Sequence, residues 1–283
     1  MSLWYPAASV SELNAGTRAE AVVDALDLLY REGLDPEEFM LFPEEGGVSI
    51  ARGGDADGGI RQETYGGKPA FECLVRTVLS QNTSDAASQP AHDALMERYG
   101  GGDLAESLAA ADRSELADTV SAAGLYNRKS ETIIRLAERV LAEYGGAEGF
   151  DAFVHGEDAG AVREALLDMK GVGPKTADCV LLFAGGSEGV FPVDTHVHRI
   201  YRRLGIAPPD ADHEAVRAIL EREVPPGKCG FGHTASIQFG REYCSARKPA
   251  CLDGPEACPL ADLCDRVGVD PGTGEVVDPA DAD

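Results

Sequence analysis

Apolar residues recur at three- and four-residue spacing along most of this chain, and strict alternation of apolar and polar positions is nearly absent. That period turns one face of a helix inward and leaves no run that fits a half-buried strand. The spacing predicts a first helix over 11–31, where Leu13, Val22, Val23, Leu26, Leu29 and Tyr30 share a face. Further helices are predicted over 71–80, 85–99, 103–109, 113–122, 128–144, 160–168, 175–184, 194–204, 213–223 and 230–240, with Gly or Pro at the breaks as helix ends require. Ser84 and Asp85 read as caps of the helix that follows them. The Gly-, Asp- and Glu-rich stretch 44–68 reads as loop or short hairpin. The segment after Cys264, rich in Asp, Gly and Pro and poor in apolar residues, reads as a disordered tail. No internal repeat is visible, and the fold class is all-α.

One break between these helices carries chemistry. Lys170-Gly171-Val172-Gly173-Pro174-Lys175-Thr176-Ala177-Asp178 sets two glycines ahead of a lysine that opens a helix, and Asp194 follows Lys175 by nineteen positions within Val193-Asp194-Thr195-His196. Glycines allow a tight turn and a close backbone approach. The unpaired N–H groups of the next helix then point at an anion, with the helix dipole assisting. A DNA phosphate suits that cradle, and an amine and a carboxylate remain for chemistry. A second, independent break holds Cys244, Cys251, Cys258 and Cys264 within 21 residues, at gaps of six, six and five. Four clustered thiols read as a metal or cluster site. Cys73, Cys179 and Cys229 lie scattered among apolar residues and read as small buried hydrophobes.

Composition complicates a nucleic-acid reading. Twenty-five basic against 49 acidic residues give a net charge of −24, where a DNA binder is expected to show a basic footprint. Either the protein avoids DNA or it works in a salt-rich cytoplasm. Six lysines against nineteen arginines, beside abundant Asp, Glu, Ala and Gly, fit the second. The distribution is uneven: residues 1–65 carry thirteen acids and four bases, whereas His196, His198, Arg199, Arg202 and Arg203 form a basic run beside Asp194, and Arg128, Lys129 and Arg135 cluster with only Glu131 opposed. The first residues, Met1 to Pro6, lack a basic segment followed by an apolar one, and no apolar run reaches the length of a membrane span. The expectation is a reducing, cytoplasmic setting without disulfides and with no membrane partner.

Five blocks in order resemble the endonuclease III family of helix-hairpin-helix DNA glycosylases, its archaeal members above all: Val78-Leu79-Ser80-Gln81-Asn82-Thr83-Ser84-Asp85, Gly124-Leu125-Tyr126-Asn127-Arg128-Lys129, the Gly-Val-Gly-Pro-Lys-Thr-Ala block, Val193-Asp194-Thr195-His196-Val197, and the four cysteines. The resemblance covers roughly 70–265. It implies a two-lobed all-α fold, with a six-helix barrel over 72–187, a cluster-bearing lobe from 8–71 and 188–265, and an acidic tail over 266–283.

It also implies roles. Lys175 would attack C1′ of a damaged nucleotide and form a Schiff base, with β-elimination nicking the strand; a solvated helix lysine is the ordinary alternative. Asp194 would stabilise the sugar cation or assist deprotonation, or else merely cap the helix after it. Gly171 and Gly173 would offer N–H groups to a phosphate, with Lys170, where many relatives have proline, adding a contact. Asn82, or Gln81 in its place, would fill the stack vacated by the extruded base, and Leu125 would wedge the opposite strand. Arg128, Lys129, Arg247 and Lys248 are the remaining expected DNA contacts. Cys244, Cys251, Cys258 and Cys264 would hold a 4Fe–4S cluster, although the family's middle gap is two rather than six; zinc is the rival, disfavoured by the lack of a close cysteine pair.

The expected activity is a monomeric bifunctional glycosylase and abasic-site lyase acting on double-stranded damaged DNA, with oxidised pyrimidines as substrates. A mismatch-specific uracil or thymine glycosylase remains open, as do a non-catalytic helix-hairpin-helix DNA-binding protein and a cluster-based redox sensor.

Overall fold

A computed structural model describes residues 15–31, 66–83 and 85–282. The expectations for Leu13, for 44–65 and for the caps at Ser84 and Asp85 lie outside the described residues. Helices dominate, and the described chain divides into two units, Met1–Glu38 with Glu188–Asp283, and Phe39–Ser187.

The Phe39–Ser187 unit is built around two helices that are buried on nearly every side. These are α2 (Ala70–Ser80), where all residues from Ala70 to Leu79 but Glu72 are buried, and α9 (Pro174–Phe183), buried from Thr176 to Phe183. A helix apolar all round belongs at the centre of a bundle. Around this pair pack α3 (Asp85–Tyr99), α4 (Leu104–Ala109), α5 (Arg113–Thr119), α6 (Tyr126–Tyr144), α7 (Ala147–Gly156) and α8 (Ala159–Leu167). Because α2 starts at Ala70 and lies wholly in this unit, the expected boundary at residue 71 cuts through its first turn.

No helix was expected over α7. Its two glycines and short stretch obscure the period, and two buried residues one turn apart, Phe150 and Val154, hold it down. Phe150 meets Phe71 edge-on at 6.4 Å and Tyr144 at 5.2 Å, and a side chain of that size contributes about 3 kcal/mol when fully buried.

The other unit joins α1 (Arg18–Arg31) to α10 (Thr195–Arg203), α11 (His213–Glu223) and α12 (Pro226–Glu242). Val22, Val23, Leu26, Phe191, Tyr201 and Phe239 fill its core. Where α12 crosses α10, Gly240 lets the backbone approach: a Cβ there would lie 2.5 Å from His196 Nδ1.

The tail corrects an expectation. Rather than being disordered, residues 266–282 carry a short antiparallel ladder of β1 (Val269–Asp270) and β2 (Glu275–Val276), a minor addition to an all-α fold. Two ties fasten it to α10: the N–H of Val267 donates to the Arg203 carbonyl at 3.0 Å, and Arg202, 4% exposed, pairs with Asp278. Composition hid this because the tail is held by turn chemistry, one ion pair and only two buried apolar residues, Val269 and Pro279.

Candidate functional site

In the Phe39–Ser187 unit, α8 and α9 form a hairpin. Asp158 caps α8 by accepting from the N–H groups of Gly160 and Ala161, at 2.9 and 3.4 Å. Arg163 of α8 pairs with Asp178 of α9 at 2.6 Å, with Asp178 1% exposed, so a charge-assisted bond pins the two helices together. The connecting turn leans on α6. Arg139 donates to the Asp168 carbonyl at 2.8 Å and to its carboxylate at 2.7 Å, and Arg135 donates to the Lys170 carbonyl at 3.5 Å. Gly171 has φ 104°, and a Cβ there would sit 2.6 Å from Thr132 Cγ2, so both conformation and space demand glycine.

Gly173 starts α9 with no side-chain cap, and Pro174 follows at the first helical position. Among the described residues no protein acceptor meets the N–H of Gly171 or Gly173. A turn with outward N–H groups at a helix start is an anion cradle. Lys170 is exposed beside it, and Lys175 stands half-buried in the first turn of α9, near the core thiol of Cys73. Burial pushes that thiol up to about 12, and the Lys175 charge is among the weaker influences opposing the rise.

Next to the hairpin runs the turn after α2. Gln81 Nε2 donates to the Gly171 carbonyl and to Thr176 Oγ1, both at 3.2 Å. Gln81 thus braces the hairpin in this structure, rather than standing free beside Asn82. Asn82 is exposed, with a left-handed φ of 52°. On the turn before α6, Leu125 is also left-handed, at φ 48°, and 56% exposed, with Arg128 exposed one turn on.

Lys129 is a second correction. Expected at a DNA phosphate, it is 4% exposed, and its ammonium donates to the Leu79 carbonyl (2.7 Å), Thr83 Oγ1 (2.7 Å) and the Ala123 carbonyl (2.8 Å). All three N–H donors are spent inside the protein, and burial pushes its pKa down to about 8.

In the other unit Asp194 caps α10, its Oδ1 accepting from the N–H groups of His196 at 2.9 Å and Val197 at 2.8 Å. Burial lowers the neighbouring His196 below the ordinary imidazole range. One turn on, Arg199 donates to the Cys244 carbonyl at 3.0 Å from Nε and 2.8 Å from Nη2. Arg203 approaches Cys244 Sγ at 3.5 Å and donates to the carbonyls of Ser245 (2.7 Å) and Ala246 (2.8 Å). These two arginines were not anticipated as part of the cysteine site; their i, i+4 spacing, which puts both on one helix face, is the feature that could have found them.

Cys244, Cys251, Cys258 and Cys264 line a single pocket with Arg203, Arg266, Phe239 and Leu260. No three His, Cys, Asp or Glu side chains among the described residues close on a single-ion position. A 4Fe–4S cluster takes one thiolate per iron, so its four sulfurs stand apart. The donor set fits that group: four thiols around one pocket, a guanidinium at Cys244 Sγ, and the Arg266 N–H donating to Cys264 Sγ at 3.4 Å. Burial pushes the thiols of Cys258 and Cys264 up to about 12 and about 11, and with Cys244 and Cys251 they would hold the cluster as thiolates when it is bound. The longer middle gap folds into two 3₁₀ turns, Ala250–Asp253 and Pro255–Ala257, separated by Gly254 at φ 122°. Arg247 and Lys248 are exposed between the first two cysteines.

The family model of the HhH-GPD superfamily base excision DNA repair proteins matches residues 75–226, and that of the iron–sulfur binding domain of endonuclease III matches residues 244–264. Endonuclease III of Bacillus subtilis is 32% identical over 194 residues, 69% of this chain and 80% of that protein. Endonuclease III of Thermotoga maritima is 33% identical over 198 residues, 69% of this chain and 82% of that protein. Among solved structures, an endonuclease III trapped as a covalent intermediate with DNA shares the fold at TM-score 0.64 and 24% identity, covering 88% of this chain and 96% of that one. A thermostable thymine-DNA glycosylase does so at 0.65 and 21%, with the same coverage. With over half of the chain under one family model and two endonuclease III sequences aligned along two thirds of it, the chain belongs to the HhH-GPD superfamily of base excision DNA repair proteins, as an endonuclease III-type DNA glycosylase and abasic-site lyase with a 4Fe–4S cluster.

Proposed function

We propose that this enzyme excises oxidised pyrimidines from double-stranded DNA and nicks the strand at the resulting abasic site, with Lys175 as nucleophile. The observation that carries the reading is the place of Lys175, in the first turn of an uncapped helix directly behind the Gly171–Gly173 turn. A phosphate held by those N–H groups brings the adjoining sugar to the amine. The neutral amine attacks C1′, the glycosidic bond breaks and the base departs with its electron pair, taking up a proton. The sugar ring opens to an iminium ion. Loss of a C2′ proton then expels the 3′ phosphate, and water releases Lys175. Asp194 is the carboxylate that steadies positive charge on the sugar as the base leaves.

Lys170 and Arg128 meet backbone phosphates, and Arg247 and Lys248 do so from the loop that the cluster holds in shape. When bound, the 4Fe–4S cluster supplies a structural clamp on that loop. Asn82 and Leu125 enter the stack once the base has left it. The enzyme acts as a monomer in the cytoplasm.

Borohydride trapping on duplexes carrying thymine glycol or a preformed abasic site tests the reading, at high salt, with Lys175→Ala alongside. A covalent adduct from the native protein that is absent from the variant supports it. An adduct that survives in Lys175→Ala removes the nucleophile assignment. Base release from uracil or thymine opposite guanine, without any adduct, moves the enzyme to a monofunctional mismatch glycosylase.

A further inference from the structure

Three non-glycine residues among those described hold a left-handed backbone: Asn82, Leu125 and Arg266. Two of the three sit on the turns that one buried ammonium joins. Lys129 Nζ takes the Leu79 carbonyl and Thr83 Oγ1 on the side of Asn82, and the Ala123 carbonyl on the side of Leu125. Thr83 Oγ1 donates in turn to the Ala123 carbonyl, closing the link. The backbone N–H of Lys129 also donates to the Leu125 carbonyl at 3.0 Å. Asparagine tolerates this backbone region, but leucine does not occupy it without strain, and strain persists only where the surroundings over-determine the conformation. Both side chains point to solvent, so the strain does nothing for the core.

We infer that Lys129 is a positioning residue for base extrusion: with Thr83, it locks the turns bearing Asn82 and Leu125 into one rigid pair of wedges. The inference rests on the glycosylase reading above and deepens it. A wedge matters when a stacked, paired base has to be displaced, and much less when the lesion already lies outside a helix. Loosening the lock therefore changes the ratio of rates on two substrates, whereas general damage to the fold lowers both together.

The experiment compares native protein, Lys129→Met and Thr83→Val on thymine glycol in a fully paired duplex and in a small unpaired bubble. The 4Fe–4S absorbance of each sample and its unfolding midpoint are recorded. The expected result is a paired-to-bubble rate ratio lowered about tenfold or more in Lys129→Met, and lowered in the same direction in Thr83→Val. Combining Lys129→Met with Leu125→Ala should lower the ratio by less than the product of the two single effects, because both changes act on the Leu125 wedge and only Lys129→Met also frees Asn82. An unchanged ratio in Lys129→Met, or full additivity in the double variant, overturns the inference. If Lys129→Met does not fold, Thr83→Val decides alone: a lowered ratio supports the lock and an unchanged one overturns it. Absence of any trapped adduct or base release from the native protein overturns the underlying glycosylase reading, and the role of Lys129 with it.

Discussion

Asp194 carries two duties that single substitutions can pull apart. Both of its cap bonds fall on Oδ1, and asparagine caps a helix as well as aspartate does. Asp194→Asn should therefore leave the thermal midpoint almost unchanged while slowing base release about a hundredfold, the scale of a lost general base or charge stabiliser. Asp194→Ala should lose the same activity and a further ~1 kcal/mol of stability from the missing cap. Calorimetry beside single-turnover kinetics checks both; equal rates for Asp194→Asn and native protein would reduce Asp194 to a cap. At this scale the sequence was legible where a local pattern fixes the contact, as in the helix cap made by Asp194. It misled where only a helix face decides. Lys129 lies four, seven and eleven residues before Ile133, Leu136 and Val140, all buried. That spacing already assigns it to the inner face, and the expectation of a phosphate contact weighed its charge instead of its place in the period.

The hairpin between α8 and α9 is the element whose geometry is least negotiable. Gly171→Ala puts a methyl 2.6 Å from Thr132 Cγ2 and forces φ 104° on a residue with a Cβ. The expected cost is about 1–2 kcal/mol of stability and a loss of affinity for an abasic-site duplex of about tenfold, since the phosphate cradle is the part that moves. Fluorescence anisotropy with a labelled duplex reads the second quantity, and an affinity within twofold of native would mean that the turn holds no phosphate. Helix periods placed most elements within a few residues because their buried faces span several turns. The exception, α7, buries only Phe150 and Val154, and two anchors one turn apart leave too short a period to read.

Over the whole molecule the charge of −24 is the dominating fact. Like charges at this density repel across the surface and destabilise compact states, and raising salt from 0.1 to 1 M shortens the screening length from about 10 to about 3 Å. The unfolding midpoint should rise steadily with potassium chloride, and turnover should need it too; full stability in dilute buffer would contradict this. Four short blocks and a cysteine cluster identified the lineage from sequence. Composition alone, weighing acids against bases, argued against DNA. Where most of the acids are used was not legible: Asp158 caps a helix, Asp178 is buried against Arg163, and Asp278 holds the tail.

That last pair bears on how the gene can be trimmed. A chain stopped just after Cys264 would keep every cysteine and look complete by its motifs. It would also strip Asp278 from Arg202, leaving a guanidinium 4% exposed without its carboxylate, on the helix that reaches the first cysteine through Arg199 and Arg203. Because Asp278 itself is more than half exposed, losing that pair costs about 1 kcal/mol. The final nineteen residues, which hold none of the motifs, thus help to fasten the helix that reaches the first cysteine.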